Sequence, residues 1–389
     1  MARSLSSPVL IAGGGIGGLA AALALSKTGR ESVVLEQAGE FKEVGAGIQI
    51  SPNVFKMFDV LGITEAIKQI AVFPDSLTIR DALTAEQVMH IPLGPEFLAR
   101  FRHPYGVIYR PDLLDALLRA CRQSPLILLH TGKSVVRYDD HGTYVTLHTE
   151  SGESFDGAAL IGADGLWSRI RERIVGDGQP RVAGHIAYRA VLPIERAPKH
   201  AQERRVTLWA GPKIHLVHYP LRRGELLNLV AVFHSDRYDE GWDEYGDPEE
   251  LNHKFKGTRP EVRELLGLIE AWRMWVLCDR DPVKNWSAGR VTLLGDSAHP
   301  TLQYMAQGGC MAIEDAVVLA QKIDALKGDF ERAFVAYQEE RYLRTARVQL
   351  TSRFVGDYIY HPRGPAAEVR NQMIKNITRE DMAWLYDGI

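Results

Sequence analysis

The apolar run Val9-Leu10-Ile11-Ala12 has no polar residue in it, the pattern of a short strand buried on both faces of a parallel sheet. Five glycines follow within Gly13–Gly18, and Leu19 to Lys27, rich in alanine and leucine, reads as a helix. A second apolar run, Val33-Val34-Leu35, predicts the next strand. Strand and helix signals alternate in this way to about residue 70. A turn at Phe73-Pro74-Asp75-Ser76 then leads into Leu77–Asp81, a strand start outside that alternation.

Pro111 opens an amphipathic helix with Leu113, Leu114, Leu117, Leu118 and Cys121 on one side. Residues 126–161 hold short strand-like runs, Tyr144–Leu147 and Ala158–Ile161 among them, expected as a small antiparallel ribbon returning to the parallel sheet. From 182 to 278 the texture changes to recurrent strands: Tyr188–Leu192, Val206–Trp209, His215–Tyr219 and Leu227–Phe233. The α/β pattern resumes at Val291–Asp296. The last 40 or so residues are helical, with a break at His361-Pro362-Arg363-Gly364-Pro365. The predicted fold class is α/β, a Rossmann-like nucleotide domain (1–75, 100–181 and 279–389, with C-terminal helices) carrying an inserted β-sheet substrate domain (76–99 and 182–278).

Composition narrows the picture. With 46 basic and 49 acidic residues the net charge is −3, and no Lys/Arg run is present. Neither a nucleic-acid partner nor stable membrane insertion is expected. The apolar start after Arg3 has something of a leader, but the glycines interrupt it. Cys121, Cys278 and Cys310 have no metal-ligand or disulfide spacing, so reduced thiols in a cytoplasmic protein and no metal are expected.

The chemistry begins at the glycines. Gly13 permits a tight turn, Gly15 lets backbone approach a pyrophosphate, and Gly18 lets the helix lie close to the strand. Glu36 follows 18 residues after Gly18, where a carboxylate accepts from both ribose hydroxyls and disfavours a 2′-phosphate. Two further carboxylates stand where strands end: Asp164-Gly165, before a helix expected over Ser168–Val175, and Gly295-Asp296 in a run ending His299-Pro300. The pair Gly308-Gly309 precedes a helix expected to start near Met311. Asp296 suits a ribityl hydroxyl, and the helix N-terminus suits an anionic flavin.

In that order, and with Tyr109-Arg110-Pro111-Asp112-Leu113, the chain resembles the group A FAD-dependent aromatic hydroxylases over essentially its whole length, the hydroxybenzoate hydroxylases most of all. Specific matches are Arg80–Glu86, Gly211–His215 through Tyr219-Pro220-Leu221, and Leu302–Ala306 leading into Gly308-Gly309. The resemblance implies FAD, NADH as reductant, molecular oxygen, a small aromatic acid as substrate and a homodimer. It adds Ile16, Gln37, Gly47, Ile48 and Pro300 to the cofactor contacts, Arg110 beside the flavin, and a role for Asp164-Gly165 toward both nucleotides. The implied reaction converts 3-hydroxybenzoate to 2,5-dihydroxybenzoate through a flavin C4a-hydroperoxide. The alternatives are decarboxylating hydroxylation of salicylate, another phenolic acid, a plain FAD oxidase or dehydrogenase, or a flavin-fold binding protein that is not an enzyme.

Such an electrophile needs an electron-rich ring. Ionising a phenol of pKa about 10 at about pH 7 costs roughly 4 kcal/mol, part of which a positioned base supplies. His215 and Tyr219, four apart on a strand, point to one face. By resemblance His215 is the base at the phenolic hydroxyl, Gln303 orients it, Tyr219 holds or shields the substrate, and Tyr105 lies on the pocket side. His218 and Tyr304 are expected to face away, and His299 to shape the loop after Asp296. For the substrate carboxylate, Arg189, Arg223 and Lys213 are equal candidates.

Overall fold

A computed structural model describes residues 7–43, 45–235 and 242–389. Its first sheet has six strands in the order Ser287–Ala288, Val291–Leu293, Ala159–Gly162, Val9–Ala12, Ser32–Leu35 and Ile127–His130. All pair in parallel except the short edge strand Ser287–Ala288. Val9–Ala12 is wholly buried, as its unbroken apolar run requires. The chain leaves it on one side toward Ser32–Leu35 and later returns on the other with Ala159–Gly162. That reversal opens a crevice at the carboxyl ends of the strands, where open α/β sheets hold ligands.

The helix after the glycine turn spans Ile16–Lys27, three residues earlier than apolar composition alone suggested. Gly17 and Gly18 lie inside it because a bulkier residue would not fit: a Cβ on Gly18 would stand 1.9 Å from the Gly13 carbonyl oxygen. Likewise the long helix Gly308–Ala325 begins at the glycine pair itself, not near Met311. Arg169–Ile174 is capped by Ser168, whose hydroxyl accepts from the Arg171 N–H at 2.8 Å. The antiparallel ribbon is Val135–Asp140, Val145–Thr149 and Ser154–Gly157.

The second large sheet has eight strands, in the order Trp242–Tyr245, Arg273–Asp279, Arg181–Pro193, Leu226–His234, Ile214–Leu221, Arg205–Gly211, Ser76–Asp81 and Gln87–Pro92. It has two distinct faces. One buries Ile186, Tyr188, Leu216, Leu229 and Phe233 against Leu251, Val262 and Leu265 of the helices Pro248–Lys254 and Pro260–Gly267. The other carries His185, Ala187 and Arg189, in register with His234, Val232 and Val230, and then with His215 and Val217. Strand alternation puts these residues together. Val217, Val230 and Tyr219 pack toward the first sheet and the C-terminal segment. None of the cysteines is in a disulfide. Among the described residues no helix is long and apolar enough to cross a membrane.

Candidate active site

The nucleotide end of the crevice is built from strand ends. Gly13 takes φ +107°, and a Cβ there would meet the Ala163 carbonyl oxygen at 2.2 Å. By contrast a Cβ on Gly15 or Gly165 would meet no protein atom within 4 Å. Those two glycines border space. Ile16 is buried and heads a helix whose first N–H groups have no side-chain cap. Glu36 is held at the end of its strand, one oxygen accepting from Gly14 N–H at 2.7 Å and the other from Ala38 N–H at 2.8 Å. Gln37 beside it is exposed.

Asp164 Oδ1 and Arg110 Nε are buried without a hydrogen bond, although Arg110 also pairs with Glu43 at 3.0 Å. Asp296 is the one exposed residue in the otherwise buried stretch 291–300, and its Oδ1 would stand 3.7 Å from a Cβ on Gly308. The walls of the crevice hold much of the surrounding water away, and this desolvation pushes the carboxyls of both Asp164 and Asp296 up from their ordinary range, although Asp296 keeps exposed surface. Pro300 is fixed through its carbonyl, which accepts from Gln349 at 3.1 Å. Gly308 and Gly309 open the Gly308–Ala325 helix, which has no side-chain cap either, and Ile48 sits so close that a Cβ on Gly309 would lie 2.7 Å from its Cδ1. Gly47 donates to Asn228 Oδ1 at 2.8 Å, and its missing Cβ makes room for the Tyr219 ring. Bare glycine backbone, two uncapped helix ends and orphaned polar atoms are a donor and acceptor set that fits FAD.

A buried ion network holds that loop. Burial alone would raise Asp315, but His299 at 2.5 Å and Arg341 at 2.7 Å keep its carboxyl well below the usual range. Asp315 also accepts from Gly295 N–H at 3.0 Å, so the residue before Asp296 is tied to the long helix. His299 thus shapes the loop.

The residues expected at the substrate lie on or beside the inner face of the eight-stranded sheet. Tyr219 is buried there and its hydroxyl is pushed up by burial. Arg189 lies over the Trp275 ring at 5.1 Å, donates through Nη2 to Gln303 Oε1, and has its Nε buried without a partner. Burial pulls its guanidinium down to about 10. Lys213 and Arg223 are exposed at turns, so of the three cations only Arg189 faces this region. The buried Tyr105 donates to Gln49 Oε1 and packs edge-on against Tyr386.

His215 is 2 % exposed, and its Nδ1 stands 2.7 Å from His361 Nε2. Burial, with His185 and His234 nearby, pulls its pKa down to about 3, so the ring is neutral at pH 7. Among the described residues its Nε2 has no hydrogen-bond partner. His215 and Gln303 are not bonded to each other: Gln303 engages Arg189, and His215 engages His361. His218 faces the opposite side, as expected, accepting from the Trp209 indole at 3.3 Å. Tyr304 does not face away. It sits in a short turn, Gln303–Met305, that swings its ring to 5.6 Å from His215 and its hydroxyl to 2.5 Å from His185 Nδ1. The turn ends at Ala306 with φ +53°, a conformation costly for a residue with a Cβ and concentrated at functional sites. Tyr360, with its ring 5.0 Å from His215, and His361 were missed; the break at 361–365 was their signal in the sequence.

A family model described as FAD binding domain matches residues 6–351. The 3-hydroxybenzoate 6-hydroxylase of Polaromonas naphthalenivorans (strain CJ2) is 46% identical, over 97% of this chain and 95% of its own length. 3-Hydroxybenzoate 6-hydroxylase 1 of Aquipseudomonas alcaligenes is 44% identical over 97% of both chains. Among solved structures, Klebsiella pneumoniae HpxO complexed with FAD and uric acid superposes with a TM-score of 0.85 at 26% identity, over 98% of this chain and 96% of that one.

Proposed function

The chain belongs to the FAD-dependent aromatic hydroxylases, and from that premise we propose that it hydroxylates 3-hydroxybenzoate para to its hydroxyl, giving 2,5-dihydroxybenzoate with NADH and molecular oxygen consumed. The chemistry FAD would supply when bound is two-electron transfer from NADH to oxygen, which would leave one oxygen atom electrophilic. Gly13, Gly15, Glu36, Arg110, Asp164 and Asp296 would hold it. Everything else is the work of the protein's side chains.

The observation that carries the reading is a neutral histidine with an open Nε2 and an arginine with an open Nε on one sheet face. Arg189 suits the substrate carboxylate, a charge-assisted contact that fixes which ring carbon is presented. Gln303, already on Arg189, orients the phenol. His215 Nε2 takes the phenolic proton as the ring becomes electron-rich. The imidazolium so formed is disfavoured by burial, and the phenolate beside it offsets that penalty. Tyr219 and Tyr360 close the walls and keep water out.

The inserted sheet (76–99 and 182–278) is the substrate domain in this reading, and the remainder is the cofactor domain. Two further parts extend it. A homodimer is supported by Leu343, Leu350, Phe354 and Tyr358, exposed at helical spacing along one face of the C-terminal segment. A cytoplasmic setting is supported by three cysteines outside any disulfide.

The test is incubation of the yellow protein with NADH and 2-, 3- or 4-hydroxybenzoate, followed by product identification. 3-Hydroxybenzoate should accelerate NADH oxidation and yield 2,5-dihydroxybenzoate. No acceleration sinks the assignment, and catechol from 2-hydroxybenzoate would redirect it. His215→Ala should keep FAD and lose hydroxylation.

A further inference from the structure

Four histidines and a tyrosine meet behind the substrate end. His185 and His234 come from neighbouring strands, His215 from the next, and His361 from the break after Tyr360. Tyr304 hydroxyl is 2.5 Å from His185 Nδ1, His185 Nε2 is 2.7 Å from His234 Nε2, His234 Nε2 is 3.3 Å from His361 Nδ1, and His361 Nε2 is 2.7 Å from His215 Nδ1.

Three of these rings bring ligand atoms within 4.8 Å of one another. The 3.3 Å between His234 and His361 would suit either a metal ion or a shared proton, and the shorter His185–His234 contact decides for shared protons. Nitrogens tetrahedral about zinc at about 2.0–2.1 Å stand about 3.3 Å apart. The 2.7 Å between His185 and His234 is a hydrogen-bond length.

Resting on the hydroxylase reading above, we infer that His361, His234, His185 and Tyr304 are positioning residues that fix the tautomer of His215 so that its Nε2 is the proton acceptor. Tyr304 hydroxyl is buried and has one partner, so it donates to His185 Nδ1. His185 then carries its proton on Nε2 and donates to His234 Nε2. The His234 Nε2 lone pair is therefore taken mainly by His185 at 2.7 Å; a lone pair on His361 Nδ1 would be repelled there, so His361 turns Nδ1–H toward it as a longer, shared contact at 3.3 Å. That leaves the His361 Nε2 lone pair for His215 Nδ1–H, and His215 keeps a lone pair on Nε2. The reverse assignment strands the Tyr304 hydroxyl without an acceptor.

The proton count balances. The phenol O–H breaks and an N–H forms at His215 Nε2; the His215 Nδ1 proton can then pass to His361 Nε2, whose other N–H already points at His234. Tyr360 also faces the His215 ring; the charge of Arg181 acts on His185, and those of Asp357 and Asp279 act on Tyr304.

The first test needs no substrate. In FAD-loaded protein with ¹⁵N-labelled histidine, His215 should be neutral with its proton on Nδ1 at pH 7 to 8, assigned by its loss in His215→Gln. An Nε2–H tautomer, an imidazolium, or a stoichiometric metal found by elemental analysis overturns the inference. The second uses His361→Ala and His361→Gln. Alanine should lower the hydroxylation rate by about 10- to 100-fold, with FAD content and substrate KM unchanged and the pH profile displaced. Glutamine, whose carbonyl can accept from His215 Nδ1–H, should restore most of it. Wild-type rate and pH profile in His361→Ala would refute the role. If the wild-type protein fails to hydroxylate 3-hydroxybenzoate, the substrate reading fails while the tautomer measurement still decides this one.

Discussion

Asp315 Oδ1 and Arg341 Nε lie 2.7 Å apart with both side chains fully buried, joining the helix Gly308–Ala325 to the helix Phe330–Phe354. Arg341 also pairs with Glu314 at 2.7 Å, and Asp315 continues to His299 and Gly295. The ion pair therefore clamps the loop that presents Asp296.

Arg341→Ala leaves two carboxylates buried and underpaired, a change worth about 3–5 kcal/mol. Chemical denaturation should show a loss of that order, together with lowered FAD content. Arg341→Met should lose less if Glu314 and Asp315 are replaced with it. An unchanged midpoint in Arg341→Ala would contradict the clamp.

The glycines of the first turn separate into two roles. Gly18→Ala places a methyl 1.9 Å from the Gly13 carbonyl and should destabilise even the FAD-free protein. Gly15→Ala meets no protein atom, so the FAD-free protein should melt as wild type does while FAD affinity drops. Thermal melts and flavin titration of the two variants check this. Equal FAD affinity in Gly15→Ala would remove the cofactor from that space.

Arg189→Met deletes the charge offered to a carboxylate but keeps the stem over Trp275. A charged hydrogen bond is worth about 1.5–3 kcal/mol, so KM for 3-hydroxybenzoate should rise by about 10- to 100-fold. FAD content should not move. Phenols lacking a carboxylate should be hardly affected, and a uniform loss across both substrate types would show that Arg189 acts on structure instead.

Stability should respond to acid through the histidines. An unfolded histidine titrates near 6.5, whereas burial pulls His185 and His215 to about 3 in the folded chain and lowers His361 as well. Between those values the unfolded chain binds more protons. The contribution is thus fully present above about pH 6.5 and is lost as pH falls toward about 3. Melting temperature should fall steadily below pH 6.5, and less steeply in His185→Gln. A flat profile from pH 7 to 5 would contradict the burial.

The strand–glycine–helix start, Glu36, and the carboxylates at Asp164 and Asp296 were legible because each is a local signal: a few residues, one turn, one strand end. His215 with Tyr219 and His218 was legible too, since strand alternation settles the faces. Tyr304 was not, because a three-residue turn with Ala306 at positive φ reverses the direction that neighbouring residues would suggest. Nor was the histidine set. Its members stand up to 176 positions apart (361 − 185), and no periodicity links them. Arg189 became distinct from Arg223 and Lys213 only through burial, which depends on what the rest of the chain packs around it.

The helix that ends at Phe354 continues as a six-residue π-helical stretch, Val355–Tyr360, just before His361. Such a stretch holds one more residue than the α-ladder would allow. Deleting a single residue there would let ordinary α-helix resume and turn whatever follows by about 100°. His361 would then swing off His215 although every glycine and carboxylate around the nucleotide stayed where it was. If His361 positions His215 as proposed, the winding of one helix end governs the proton transfer: a shortened protein should stay yellow and bind its flavin, yet lose its hold on the phenolic proton.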